Sequence, residues 1–267
     1  MRRYLGYYRA AIQVSILEQL QYRIANYLYL VGMVAEAVVY LVVWSTVARA
    51  QGGAVGGYTP GDLAAYYIVG MLVHSMNLVL SPYSWESRVK DGQLSGELLY
   101  PIHPLHHDVA YYAGSNLMTM VMSLPVVAVL VWIFKPALAP TAYQAVAFLV
   151  AIAGAYLIRT LELSLLGMIT FWTTRVGAIF ELYFALELLL SGRLVPMSLM
   201  PEWVQRVARY LPFQWALYFP IESLVGRLPP AQLLAGLGMQ VLWIVLGIAA
   251  VKVVWRLGIR RYTAVGG

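Results

Sequence analysis

The chain has no cysteine in its 267 residues, which removes disulfides, thiol nucleophiles and thiolate metal ligands at once. Charge is scarce as well: Asp, Glu, Lys and Arg together make up 11%. The pattern Gly-x-x-x-x-Gly-Lys-Ser/Thr does not occur, so the chain has no phosphate-cradling loop of its own. Ser, His and Asp fall into no nucleophile elbow, and no catalytic residue is assigned. His103, His106, His107 and Asp108 cluster, but nothing in their spacing fixes a tetrahedral zinc site. A membrane-interface loop accounts for them, and no metal is assigned. What remains is apolar: 61% of the residues are hydrophobic. A soluble globule still needs a polar skin, which this composition cannot supply. A bilayer removes that need, so the expectation is a polytopic membrane protein, and nucleic acid is not an expected partner.

Crossing roughly 30 Å of hydrocarbon takes about 20 helical residues. Apolar runs at 27–47, 63–83, 110–134, 143–171, 177–194 and 231–251 predict six transmembrane helices in an all-α fold. They are long and lack the two-residue alternation of a membrane barrel. One set of connecting loops holds 11 Lys and Arg, among them Arg88, Lys90 and Arg175; the other set holds 6, and Arg159 lies within a span. The positive-inside rule then places both termini in the cytoplasm. Arg2, Arg3, Arg9, Glu18 and Arg23 precede the first run, too long a charged lead for a signal peptide, so that run is expected to be an uncleaved anchor. Within 1–26, Leu5, Tyr8, Ile12, Ile16, Leu20 and Ile24 recur at three- to four-residue spacing, which predicts an amphipathic helix on the cytoplasmic membrane face. A single membrane domain over 27–255 and a basic tail at 256–267 complete the organisation.

Two connections are more than loops. In 85–107 a short charged helix should stop at Gly92, and Gly96, Pro101 and Pro104 prevent a long continuation. Leu98, Leu99 and Ile102 are apolar residues facing water, which suggests docking to a partner or a tuck back onto the bundle. In 192–230, prolines at 196, 201, 212, 220, 229 and 230 bracket a short helix. Trp203, Val207 and Leu211 share one of its faces, and Gln205, Arg206 and Arg209 another. This segment is expected at the outer interface, capping a pathway or re-entering against protein.

Charges inside spans are costly. Glu36, Arg159, Glu162 and Glu187 either line a cavity or subunit interface, or are satisfied structurally. Arg159 and Glu162, three apart, can pair locally. Glu181 lies near a span end, His74 reads as a helix-packing hydrogen bonder, and Ala147, Ala151 and Ala155 permit close helix approach. The 20 tyrosines cluster at span ends as an aromatic belt.

Three places in this order carry a resemblance. They are the basic lead-in through Arg23, then Arg88-Val-Lys-Asp-Gly92-Gln-Leu94 followed by Leu98-Leu99-Tyr-Pro101-Ile-His-Pro104, and finally Ser191-Gly192 with Pro196, Pro201, Trp203 and Pro212-Phe213 ahead of a last span and Arg260-Arg261-Tyr262. The chain resembles the permease subunits of type-2 ABC exporters, in their six-span bacterial branch. It departs from their usual pattern at Ser95 and Tyr100, where an acidic residue and an arginine are common. The resemblance implies a multi-pass protein of the bacterial plasma membrane. The working unit would hold two cytosolic ATPases and a second permease, identical or homologous, with ATP and Mg bound in the ATPases and no cofactor in this chain. It implies coupling to the ATPase through Arg88, Lys90, Asp91, Gly92, Leu94, Glu97, Leu98, Leu99 and Pro101. It implies an outer gate at Gly192, Pro196, Pro201, Trp203, Pro212 and Phe213. An apolar lining with few charged anchors points to an amphipathic or lipid-like cargo. The alternatives are a proton-coupled secondary transporter using the intramembrane glutamates and a membrane-embedded enzyme acting on lipids.

Overall fold

The computed structural model describes residues 2–173 and 176–263; the loop cation Arg175 lies outside them. Apart from one isolated bridge between Val55 and Tyr58, the described residues form helices and turns. In chain order the helices are α1 (Arg2–Gln21), α2 (Arg23–Ala50), α3 (Pro60–Met76), α4 (Ser81–Lys90), α5 (Leu94–Glu97), α6 (Pro104–Phe134), α7 (Ala142–Met168), α8 (Gly177–Leu190), α9 (Glu202–Arg209), α10 (Phe213–Ala216), α11 (Tyr218–Val225) and α12 (Pro230–Gly258).

Among the described residues, five helices are long and apolar enough to cross a membrane: α2, α3 continued by α4, α6, α7 and α12. The expected crossing at 177–194 is instead the 14-residue α8. At 1.5 Å per residue it reaches about 21 Å, short of the roughly 30 Å of hydrocarbon. Ser191-Gly192 stops it, with Gly192 in the left-handed region at φ +85°.

The run 63–83 also differs from expectation. It is broken between Met76 and Ser81. A continuous helix would press the Pro82 ring against the carbonyl of residue 78, four positions earlier, and leave that carbonyl without an N–H. The freed ends are bonded from elsewhere. Asn116 donates its amide to the Met76 carbonyl at 2.8 Å, and Asn77 donates to the Ala216 carbonyl at 2.6 Å.

The core is built around α3, which buries Leu63 through Val69 without interruption. Outward-facing apolar residues cover α2, α6 and α12, among them Val31, Trp132 and Val245. Lipid or another subunit must cover surface of this kind.

Contacts define two ends of the bundle. At one, Ser95 N–H donates to the Tyr262 hydroxyl (3.1 Å), and Trp255 packs on His103 and Trp85. At the other, Ala137 N–H donates to the Gly61 carbonyl and Arg227 to that of Gly57, both at 2.9 Å. Tyr58 and Ser198 hydroxyls meet there at 2.8 Å.

Residues 2–26 are helical, but the chain bends at Tyr22, and α1 runs against α6. Tyr8 bonds His106 at 2.8 Å, and Ser15 donates to the Tyr111 carbonyl at 2.7 Å. Leu5 and Ile24, taken above as part of one apolar stripe, are exposed, whereas Ser15 is fully buried. Gly114 makes the approach possible: a β-carbon there would sit 2.7 Å from the Ile12 carbonyl oxygen. Gly114→Val is therefore expected to pry α1 from α6. Amide hydrogen exchange checks this, since α1 should lose protection while α3 keeps it.

Candidate functional site

The 85–107 segment is a buttressed projection. Arg88 sits at its base, buried, where α4 meets the first turn of α6. Its guanidinium donates both terminal nitrogens to Asp108, at 2.8 and 2.6 Å, and lies 2.9 Å from Glu97. It also stacks 5.2 Å from the Trp85 ring centre. Bidentate pairing of this kind fixes geometry as well as energy. Lys90 pairs with Glu86 one helical turn away, and Asp91 accepts from Ser87 at 3.1 Å. Gly92, at φ +72°, turns the chain as the sequence predicts. Leu94 is fully buried against Trp85, Phe171 and Val251. Burial raises the Glu97 carboxyl above the usual carboxylate range, with Arg88 opposing the shift. Beyond this frame, Leu98 (41% exposed), Leu99 (86%) and Tyr100 (72%) point outward, followed by exposed Pro101. The nine coupling residues thus split. Arg88, Leu94 and Glu97 hold the projection from inside, and Leu98, Leu99 and Pro101 form its surface. Asp108 and Tyr262 complete the frame, and neither pairing is readable in the sequence because each spans a tertiary contact.

His103 caps α6: its Nδ1 accepts from Leu105 N–H at 3.1 Å. That role requires an unprotonated Nδ1. Burial, aided by His106 and opposed by Asp108, lowers the ring from 6.5 to about 4. Between those values the unfolded chain takes up a proton that the folded chain refuses, so stability falls as pH drops from 6.5 toward 4. His103→Asn keeps a capping acceptor and removes the titration. Its melting temperature is expected to fall less than the wild type's over that window in a pH series. His106 stays in both proteins, so the difference isolates His103.

The intramembrane charges form two separate groups. Arg159 on α7 pairs with Glu187 on α8 at 2.8 Å, rather than with Glu162 on its own helix. Glu162 joins through Tyr183, whose hydroxyl donates to its Oε2 at 3.0 Å. Arg159 also lies over the Tyr183 and Phe184 rings. Glu36 stands apart from this cluster. It accepts two bonds from Arg193, at 2.9 and 2.6 Å, which ties α2 to the turn after α8. Together with His74, Tyr66 and Tyr67 this second pair lines a narrow cavity. Arg193 and Tyr183 are not singled out by the sequence; Arg193 is one of the six cations of the second loop set.

The residues of the expected outer gate occupy the path from α8 to α11. Gly192 gives its carbonyl to the Tyr66 hydroxyl at 2.7 Å. Pro196 is buried ahead of a single 3-10 turn, Pro201 precedes α9, and Trp203 is exposed on it. Pro212 precedes α10, and Phe213 packs on Tyr183 with ring centres 5.4 Å apart. The chain turns back at α10, far from either end of the bundle. Gln240, in the interior of α12, donates to the Trp215 carbonyl at 2.8 Å.

The family model for "ABC-2 family transporter protein" matches residues 34–266, and the chain belongs to that family. It is a transmembrane permease of the ABC transporter class. No curated protein matches the chain.

Proposed function

We propose that this chain is the export permease of an ATP-driven transporter, moved by a separate cytosolic ATPase that docks on Leu98, Leu99 and Tyr100. The observation that carries this reading is the join between an exposed apolar tip and a buried ionic base. Push on the tip reaches Arg88, and through Asp108 and Glu97 it reaches α4 and α6 together. α4 in turn lies against α7, where Gly167 leaves no room for a β-carbon beside Trp85 and Pro82. The break at 77–80 lies just above this unit. It lets α4 rotate under load while α3 stays in the core. Family membership supports the same assignment.

On this reading the end of the bundle bearing 91–103 and Tyr262 faces the cytoplasm of a bacterium. Tyr8, bonded to His106 at the start of α6, and Tyr262 lie at that same end, which favours an even number of crossings. The sixth is then made by α8 and the residues that follow it up to Ser198. Segment 192–230 re-enters from the outer face, with α10 as its turning point. Glu36–Arg193 is placed at the pathway or subunit interface, and Arg159, Glu162 and Glu187 hold α8. Two permeases and two ATPases form the unit, with ATP and Mg in the ATPases. The family match gives the proton-coupled alternative no support.

Affinity purification of the tagged chain from its native membrane tests the reading. It should retain a soluble protein with a phosphate-binding loop in equal copy number. A chain that purifies alone and drives uptake from a proton gradient would overturn it.

A further inference from the structure

Between α9, α11 and α12 the bundle wall contains a cavity of about 560 Å³. That size suits a small organic molecule. α9 contributes Arg209, the α10–α11 segment contributes Gln214, Trp215 and Phe219, and α12 faces them with Ala235 and Met239. Two polar groups of the lining have no protein partner among the described residues. Gln214 is 5% exposed, and its side-chain amide makes no hydrogen bond. Arg209 forms no ion pair, although its backbone carbonyl accepts from Trp215. The nearby Gln205 differs, since it donates to the Met200 carbonyl at 2.8 Å.

Arg209 is exposed and Gln214 buried, and both line the cavity with hydrogen-bonding groups that a ligand can engage. A ligand with an anionic head and an apolar tail uses both, since a carboxylate or phosphate accepts from guanidinium and amide alike. No Asp or Glu lines the cavity, so a cationic head would find no counter-ion and would face Arg209. A neutral head would forgo the charge-assisted bond to Arg209. Gln240 lies ten positions into α12 and bonds the Trp215 carbonyl. The wall therefore runs about 15 Å in from the start of that helix, half the hydrocarbon thickness.

We propose that this cavity binds an acyl chain carrying an anionic head, with the head on Arg209 and Gln214 and the tail along Trp215, Phe219 and Met239. The inference deepens the export reading by naming a class of cargo and rests on that reading only for the word cargo; binding itself needs neither nucleotide nor ATPase. The shared chemistry has two sources, a free fatty acid or an anionic phospholipid of the membrane.

The test is equilibrium binding to the purified chain in neutral detergent, read by native mass spectrometry. The probes are dodecanoate, its neutral glycerol monoester, dodecylamine, and a dilauroyl phosphatidylglycerol. Charge-assisted hydrogen bonding predicts that dodecanoate binds roughly tenfold or more tighter than its glycerol ester. Arg209→Gln should erase that preference, and Ala235→Trp should exclude every probe. Both positions are exposed, so the fold should tolerate the changes, and an unchanged melting temperature verifies this. Tighter binding of dodecanoate than of phosphatidylglycerol identifies the free acid as ligand, and the reverse identifies the lipid; each supports the site. Equal binding of dodecanoate and its ester, or a preference that survives Arg209→Gln, overturns it. Failure here leaves ATPase docking untouched, whereas failure of the purification test leaves this binding result standing.

Discussion

Arg159→Leu is expected to destabilise the chain by about 3–5 kcal/mol, the usual cost of removing one partner from a buried ion pair. The reason is local. α8 buries only Phe180 and Glu187 among its residues. Apolar packing therefore does little to hold it, and its main anchor is the 2.8 Å pair between Glu187 and Arg159. With leucine at 159, two carboxylates, Glu187 and Glu162, remain in an apolar setting with no cation beside them. The pairing side chains are only 10% and 12% exposed, so water cannot take over the lost contact without opening the helix pair. Proteolytic cleavage around α8 and a fall in melting temperature should appear together. The double variant Arg159→Leu with Glu187→Leu separates pairing from charge. Replacing both ions by apolar groups of similar size is often close to neutral, so it should recover most of the loss. A single variant as stable as the wild type would show that α8 is held by something else.

The same helix shows where sequence reading stops. The span expected from the sequence runs to residue 194 across Ser191-Gly192-Arg193, although Gly192 is itself a helix-stop signal. The stop comes from Ser191-Gly192 and from tertiary bonds: Tyr66 takes the Gly192 carbonyl, and Arg193 is drawn to Glu36. The long helices were legible because twenty apolar residues without charge have few other solutions. Pro82 lies within the apolar run read as one span at 63–83, and the run masks the break that the proline imposes. The coupling segment was legible as a pattern of turn formers and apolar residues. Its division into buried base and exposed tip was not, since Arg88 and Asp108 stand 20 positions apart and nothing local matches them. Arg159 and Glu162 illustrate the opposite error. Spacing of three makes a local pair possible, but a guanidinium in the core is better satisfied by Glu187 across the helix interface, with Tyr183 left to serve Glu162.

Leu99→Asp should weaken ATPase association about 30-fold or more without harming the fold, and Arg88→Met should do both kinds of damage. Leu99 is 86% exposed and makes no core contact, so an aspartate there costs the isolated chain little. In a docked complex the same carboxylate would be buried against an apolar cleft. Central apolar anchors of interfaces are commonly worth 2 kcal/mol or more, so affinity should drop about 30-fold or beyond. Arg88→Met instead leaves Asp108 buried and uncompensated, with a cost of about 3–5 kcal/mol, and frees the projection from α6. The decisive comparison uses reconstituted permease with its ATPase and measures melting temperature, complex affinity and ATP turnover in parallel. Leu99→Asp should move the last two and leave the first unchanged. Arg88→Met should lower all three. Asp108→Leu added to Arg88→Met should restore part of the melting temperature, because the buried charge is gone, yet should not restore coupled ATP turnover, because the tip is still unfastened from α6. Recovery of turnover along with stability would mean that the ionic base supports the fold only and transmits nothing.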